Sequence, residues 1–424
     1  MSGEENAVFR RIAWQLLPFL AICQLFAFLD RGNVGFAALT MRGDLAMSAT
    51  AYGLGAGIFF VGYFLCEVPS NLMLLRFGPR RWIARILITW GLISAATAIA
   101  WDAWSFLGLR FLLGLAEGGF FPGILFFLSQ WFPSAWRARM VSLLLVAIPL
   151  SSVVGALLAG WLLGLNGLLG LHGWQWLFII EGLPCCVLGL VLFLRLPASI
   201  KEAQFLSPAQ RQLARAVLDA DQATRSKVSA TGFRDMLRQP RVWAMAFVFF
   251  CVSMTNGSVN FFAPQIIKQA GFSNMTVGLL AAIPYSVGVL AVLVWGWHSD
   301  RHNERRWHVV IPLVVAAIGI AITAASETIT IQIAGLTFAG LGMFSVLAIL
   351  WTLPGEFLVG AAAAGGIAVI NSIGNLGGFA GPVVVGVLKD ITGSFSGGLL
   401  IDAVVLLVAT GVVLTITRPA FSTR

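Results

Sequence analysis

Gly296-Trp297-His298-Ser299-Asp300-Arg301-His302-Asn303-Glu304-Arg305-Arg306 is a short charged run set between two long apolar ones, 277–297 and 309–325. Each flanking run is close to the roughly 20 residues that cross a hydrocarbon layer as a helix. Read outward in both directions, the same alternation of apolar run and short polar loop recurs along the chain. It gives twelve expected spans, at about 14–38, 52–75, 82–100, 105–131, 139–163, 174–194, 243–263, 277–297, 309–325, 331–352, 362–387 and 397–417. In lipid a backbone must satisfy its own hydrogen bonds, which makes these spans helices. Barrel strands would alternate polar and apolar residues in segments of roughly ten, and these runs do not. The charged run also has a counterpart. Arg305-Arg306-Trp307 repeats Arg80-Arg81-Trp82 at an offset of 225, and the first apolar runs of the two halves begin near Trp14 and Trp243, an offset of 229. Two landmarks at nearly one offset indicate an internal duplication. The reading is an all-α integral membrane protein with twelve transmembrane helices in two pseudo-symmetric six-helix bundles, 1–194 and 242–424. They are joined by a central cytoplasmic loop over 195–241, in which Ser207-Pro208 opens a short amphipathic helix to about Asp219.

Composition excludes the common alternatives. The 424 residues are 58% hydrophobic and 11% charged, too few charges to cover a soluble enzyme and too apolar a chain for disorder. The formal net charge is +9, yet the basic residues sit in short loops at alternate ends of the spans, without the basic stripe of a nucleic-acid binder. With the N-terminus inside, 22 of the 27 Lys and Arg residues fall on the cytoplasmic side; the opposite side keeps only Arg42, Lys268 and Lys389. That asymmetry orients the protein in the inner (plasma) membrane with both termini cytoplasmic. Cys23, Cys66, Cys185, Cys186 and Cys251 lie in apolar runs without paired spacing and read as small hydrophobes. His298 and His302 are four apart on a charged, solvated face, so no metal site is expected. No cofactor, nucleotide-binding motif or cleavable signal is expected either, and the protein reads as a monomer.

Charges inside spans are the candidates for function, because each costs about 2.5–3.5 kcal/mol to insert. Asp30 and Arg31 lie in span one, Arg110 and Glu117 in span four. Arg110 and Glu117 are two turns apart on one face, too far to pair with each other; each is free to face a central cavity or to partner Asp30 or Arg31. Burial disfavours the charged carboxyl and a neighbouring arginine favours it, and a reversible proton carrier needs that competition. Glu67, one turn from Tyr63 in span two, suits a gating network or the cavity wall. Glu181 in span six reads as structural or gating, without an identified partner. Neutral polar residues cluster in span seven (Asn256, Ser258, Asn260) and span eleven (Asn371, Ser372, Asn375). They suit either substrate binding or helix-to-helix hydrogen bonding. Parallel six-helix repeats place a substrate site between the halves, near the bilayer midplane.

The run at 296–306 has the form GxxxDRxxxRR, which resembles the signature loop of the major facilitator superfamily; Asp300, Arg301, Arg305 and Arg306 would then hold a closed state. The first-half copy is degenerate, with Asn71 where aspartate is usual. Phe28-Leu29-Asp30-Arg31-Gly32-Asn33, Glu67-Val68-Pro69-Ser70-Asn71 and the stretch from Arg110 to Gly118 are similar to the anion:cation symporter family of that superfamily. So are Trp131-Phe132-Pro133, Pro264 to Lys268, Arg305 to His308 and Ile370 to Gly378. That family includes bacterial permeases for galactonate, glucarate, tartrate, phthalate and hydroxyphenylacetate. The resemblance implies that Asp30 and Glu117 carry protons, that Arg110 binds the substrate carboxylate, and that Arg31 assists by tuning Asp30. It also implies that Tyr63 and Asn375 line the pocket; Asn256 is a further binding candidate from the polar cluster of span seven alone. Gly32 departs from the bulkier residue usual there.

The expected function is therefore a proton-coupled symporter that imports a small organic carboxylate by alternating access, with protons, the anion and membrane lipid as its partners. The first alternative is a drug or metabolite efflux antiporter of the same fold. Such exporters carry GxxxGPxxGG in span five, where this chain has Ala147 to Gly155 without the pattern. A transporter-like sensor is the other, and the short central loop holds no evident signalling domain.

Overall fold

The described parts of the apolar runs are almost wholly helical in the computed structural model, which describes residues 2–226, 236–302, 304–351, 353 and 360–416. In chain order the main helices are α1 (Gly3–Asp44), α2 (Ala49–Phe77), α3 (Pro79–Ala96), α4 (Ala103–Glu117), α5 (Phe120–Trp131), α6 (Ser134–Leu145), α7 (Ala147–Leu162) and α8 (Gly173–Arg195). After the polar helix α9 (Pro208–Ser226) come α10 (Pro240–Lys268), α11 (Asn274–His302), α12 (Arg306–Ala325), α13 (Ile329–Leu350), α14 (Gly360–Asn375), α15 (Gly377–Thr392) and α16 (Ser396–Ile416). Among the described residues twelve spans are long and apolar enough to cross a membrane. The pairs α4–α5, α6–α7 and α14–α15 each make one span in two pieces.

Local chemistry explains where these helices start and stop. α1 is longer than the expected 14–38. A reciprocal cap starts it, with the Glu5 amide donating to Ser2 Oγ (3.2 Å) and the Ser2 amide to the Glu5 carboxylate (2.7 Å). At 1.5 Å per residue its 42 residues reach about 63 Å, twice the hydrocarbon thickness. The helix in the central loop also outruns its expected end at Asp219 and continues to Ser226. Its Ser207 hydroxyl accepts from the Gln210 amide as a cap (3.2 Å). Asp221 explains the extension: it accepts from the Ser134 amide (3.1 Å) and faces Arg137 (3.8 Å), docking the helix on the start of α6. The fourth span breaks after Glu117. Gly119 there has φ +93°, a left-handed conformation that a side chain would strain, and a Cβ would overlap the Ser70 side chain.

Three apolar cores organise the helices. One is drawn only from residues 8–214 and one only from 236–413, while the third combines both parts of the chain. Helices from the two parts meet chiefly at the face opposite the arginine-rich loops. There the Tyr52 hydroxyl lies 3.1 Å from the Val34 carbonyl and 3.0 Å from the Phe261 carbonyl. Arg42 donates to Gln265 (2.6 Å), and the Asp390 carboxylate accepts the Ala49 and Thr50 amides at the start of α2 (2.9 and 2.7 Å). All five cysteines are unpaired, and Cys23, Cys185 and Cys251 are buried, in keeping with their hydrophobic reading.

Candidate functional site

Behind that closed face, a cavity of about 150 Å³ lies between the two parts of the chain. Residues of α1 and α2 (Phe28, Arg31, Tyr63) form one side of it, and Asn256, Asn260, Asn371 and Asn375 of α10 and α14 the other, with Phe249, Phe344 and Trp351 as aromatic wall. Tyr63, Asn256, Asn375 and Arg31 all line this cavity.

Of the partners the sequence left open to them, Glu117 takes Arg31 and Arg110 lies beside Asp30. Arg31 turns to Glu117: its Nε donates to Glu117 Oε1 at 2.8 Å and its terminal nitrogen lies 2.5 Å from the same oxygen. The Arg31 guanidinium also sits 5.1 Å from the Tyr63 ring centre and 5.0 Å from that of Phe28. Glu117 Oε2 has no hydrogen-bond partner. Asp30 is held by neutral donors instead, the Trp90 indole (2.8 Å), the Ser94 hydroxyl and the Asn33 amide (3.2 Å). The expected tuning of Asp30 by Arg31 is therefore exchanged, and Arg110 is the charged neighbour of Asp30.

Arg110 itself is the second correction. It is 1% exposed and absent from the cavity wall, and none of its three guanidinium nitrogens has a hydrogen-bond partner. Its guanidinium rests 5.1 Å from the centre of the Phe59 ring, and Arg31 lies 5.4 Å from the same ring. The cause is the packing of α4 on α2. Gly62 and Gly114 leave no room for a Cβ against the facing backbone, and this contact carries Arg110 behind the layer that Phe59 and Arg31 form.

The gating candidates divide. Glu67 accepts from Asn371 Nδ2 (2.8 Å) and from the Ser372 hydroxyl (2.6 Å), tying α2 to α14 across the two parts of the chain. Asp300 pairs with Arg305 (2.7 Å), Arg306 donates to the Leu414 carbonyl (3.4 Å) and Arg301 covers the Trp297 ring (5.3 Å). The Asp300 and Arg306 contacts bind α11, α12 and α16 to one another, and that of Arg301 stays within α11, all in one part of the chain. His298 is not merely a solvated side chain. Its Nδ1 is 2.7 Å from His308 Nε2, and His308 Nδ1 is 2.6 Å from Glu304. Among the described residues no cluster of three or more histidine, cysteine or acidic side chains is arranged for a metal ion.

Sequence reasoning missed Asp402 of α16, fully buried with neither oxygen hydrogen-bonded, and Tyr285 of α11, whose hydroxyl donates to Asn260 Oδ1 (3.0 Å). A lone acid inside span twelve was signal enough for the first. Nothing in the sequence links Tyr285 to span seven. Glu181 is buried, and neither of its carboxylate oxygens has a hydrogen-bond partner.

Twelve spans, two packed groups of helices and a largely apolar cavity with a few polar side chains between them define a multi-pass membrane transporter rather than an enzyme. The chain belongs to the Major Facilitator Superfamily, whose family model matches residues 20–382. It is 47% identical over 423 residues to a protein of Agrobacterium vitis named "Putative tartrate transporter", covering 99% of this chain and 96% of that one. It is 42% identical to the "Quinolone resistance transporter" of Acinetobacter baumannii, covering 97% and 94%. The fold is that of a solved bacterial homologue of the human lysosomal transporter Spinster, with a TM-score of 0.76 at 16% identity, covering 95% of this chain and 96% of that chain.

Proposed function

We propose that the chain is a proton-coupled symporter that imports a small organic carboxylate across the plasma membrane by alternating access. One observation carries this reading: Arg31, the charged residue of the cavity wall, is held by a fully buried carboxylate that a proton would release. Protonation of Glu117 from the outside frees Arg31 to bind a substrate carboxylate. Asp30 takes the second proton and removes the charge that faces Arg110. Arg110 acts on the substrate through this buried network, and Tyr63, Asn256 and Asn375 hold the remainder of the anion. The halves 1–194 and 242–424 then rock about the cavity between them, and release to the cytoplasm lets Glu117 recapture Arg31. The contacts of Tyr52, Arg42 and Asp390 form the outer gate, and Glu67 with Asn371 and Ser372 forms a latch nearer the arginine-rich, cytoplasmic side. Arg301 and the Asp300–Arg305 and Arg306 contacts brace the second half. A single proton crossing about 100 mV supplies about 2.3 kcal/mol, which supports roughly 50-fold accumulation per uncompensated charge.

The kinship with a protein named for tartrate transport supports a sugar acid or tartrate-like acid; the aromatic wall also accommodates an aromatic acid. The kinship with a protein named for quinolone resistance favours a second reading, proton-driven efflux. Proteoliposomes loaded with a pH dye separate the two. Symport acidifies the lumen when tartrate, galactonate, glucarate, phthalate or hydroxyphenylacetate is added outside, and Arg31→Gln abolishes the signal. A lumen that responds only to a quinolone, or an anion response that survives Arg31→Gln, overturns the symport reading.

A further inference from the structure

The cavity wall opposite Arg31 contains a hydrogen-bond chain whose polarity is fixed by a backbone carbonyl. Asn260 Nδ2 lies 3.0 Å from the Asn256 carbonyl oxygen and 2.8 Å from Asn256 Oδ1. A carbonyl only accepts, so the Asn260 atom facing it is the amide nitrogen. The Asn256 atom facing that nitrogen must then be its oxygen. The Asn260 oxygen accepts in turn from the buried Tyr285 hydroxyl (3.0 Å). Each link leaves one choice for the next, and the chain ends at Asn256, a residue of the cavity wall whose side-chain oxygen is taken by Asn260, so that its amide N–H donors are what it has left to offer an occupant. An asparagine on an apolar wall is otherwise free to flip and to meet either a donor or an acceptor.

We infer that Asn260 and Tyr285 are positioning residues that lock Asn256 as a hydrogen-bond donor, so that the cavity selects anions carrying an acceptor at the end remote from Arg31. A second carboxylate meets that requirement best. This rests on the reading of the cavity as an anion site and deepens it, because it specifies what the far end of the substrate must be. It also assigns a task to Tyr285, which is not in the cavity wall and is connected to it only through Asn260.

The test compares tartrate with glycerate, which keeps one carboxylate and the adjacent hydroxyls but lacks the second carboxylate. Binding of each is measured by calorimetry on the purified full chain in nanodiscs, and the ratio of the two dissociation constants is the readout. The wild type binds tartrate about tenfold more tightly or better, as one charged hydrogen bond implies. Asn256→Ala removes the preference. Tyr285→Phe, which deletes one hydroxyl and keeps the ring, lowers it by about fivefold, yet changes nothing further once Asn256 is alanine. A merely structural tyrosine would alter both backgrounds equally, and that result overturns the proposal. So does a preference that Tyr285→Phe leaves intact. Wild-type protein that binds both acids equally, or neither, overturns this proposal; if it also fails to bind galactonate, glucarate, phthalate and hydroxyphenylacetate, the anion reading falls with it.

Discussion

In the proposed mechanism four side chains, Asp30, Arg31, Arg110 and Glu117, carry the chemistry, and their pairing sets the expected phenotypes. Glu117→Gln and Asp30→Asn keep shape and hydrogen-bonding capacity while removing a titratable group. Each is expected to abolish proton-driven accumulation in proteoliposomes while leaving exchange of labelled for unlabelled anion. Accumulation that survives both changes would end the proton roles. Arg31 has a second duty, since Glu117 is fully buried. Arg31→Gln strands that carboxylate, and breaking a buried pair from one side costs about 3–5 kcal/mol. Thermal unfolding in detergent should show the loss, and adding Glu117→Gln should restore most of it. An unfolding temperature that stays low in the double variant would mean that Arg31 stabilises through something other than this pair. All four residues were legible in the sequence as charges misplaced in apolar runs. Which of the two possible partners each takes was not, because pairing depends on how far each helix is rotated and how closely α4 approaches α2. The Gly62–Gly114 contact, not the spacing of Arg110 and Glu117, puts Arg110 behind Phe59.

At the scale of elements, the twelve spans were readable from length and hydropathy alone, and the Arg80-Arg81-Trp82 and Arg305-Arg306-Trp307 landmarks do open α3 and α12. The breaks inside spans were not readable, since an apolar run looks the same whether its helix is continuous or interrupted. Helix starts at the water surface follow local rules and invite a local test. The Glu304 carboxylate accepts the Trp307 and His308 amides at the first turn of α12 (2.8 and 3.2 Å) and the His308 ring. Partial burial works to raise its proton affinity, but these donors prevail and hold it below the ordinary glutamate value. A depressed folded-state value stabilises the protein at pH above the unfolded value, near 4.3. That contribution is lost as pH falls through the folded value. Glu304→Ala should therefore cost about 1 kcal/mol at neutral pH, the usual worth of such a cap. The difference from wild type should shrink toward zero in unfolding experiments below that range. An equal deficit at both pH values would show that packing, not charge, is what Glu304 supplies.

For the whole molecule, the proposed alternating access makes the balance between outward and inward states a competition between contacts on two faces. On the face away from the arginine loops, Asp390 of α15 receives two amides from the start of α2, where the helix dipole also favours a negative charge. Nearer the arginine-rich face, Glu67 receives Asn371 and Ser372. Both join the first part of the chain to the second, so loss of either biases the equilibrium in a direction set by its position. A hydrogen bond to a charged group is worth about 1.5–3 kcal/mol. Asp390→Ala should therefore shift the ratio of states by about 30-fold toward opening on its own face. Gly43 at the end of α1 and Gly397 at the start of α16 are suited to report it, because a side chain at either meets no closer neighbour than Leu388 at 3.9 Å. Spin labels on cysteines placed there, with the five native cysteines replaced, should show a longer distance in Asp390→Ala. Glu67→Ala should leave that distance at its wild-type value or sharpen it. A distance unmoved by Asp390→Ala would locate the gate in the neighbouring Tyr52 and Arg42 contacts. Lengthening in Glu67→Ala would mean that the two faces do not exchange closure, and alternating access would need a different hinge from the one argued above.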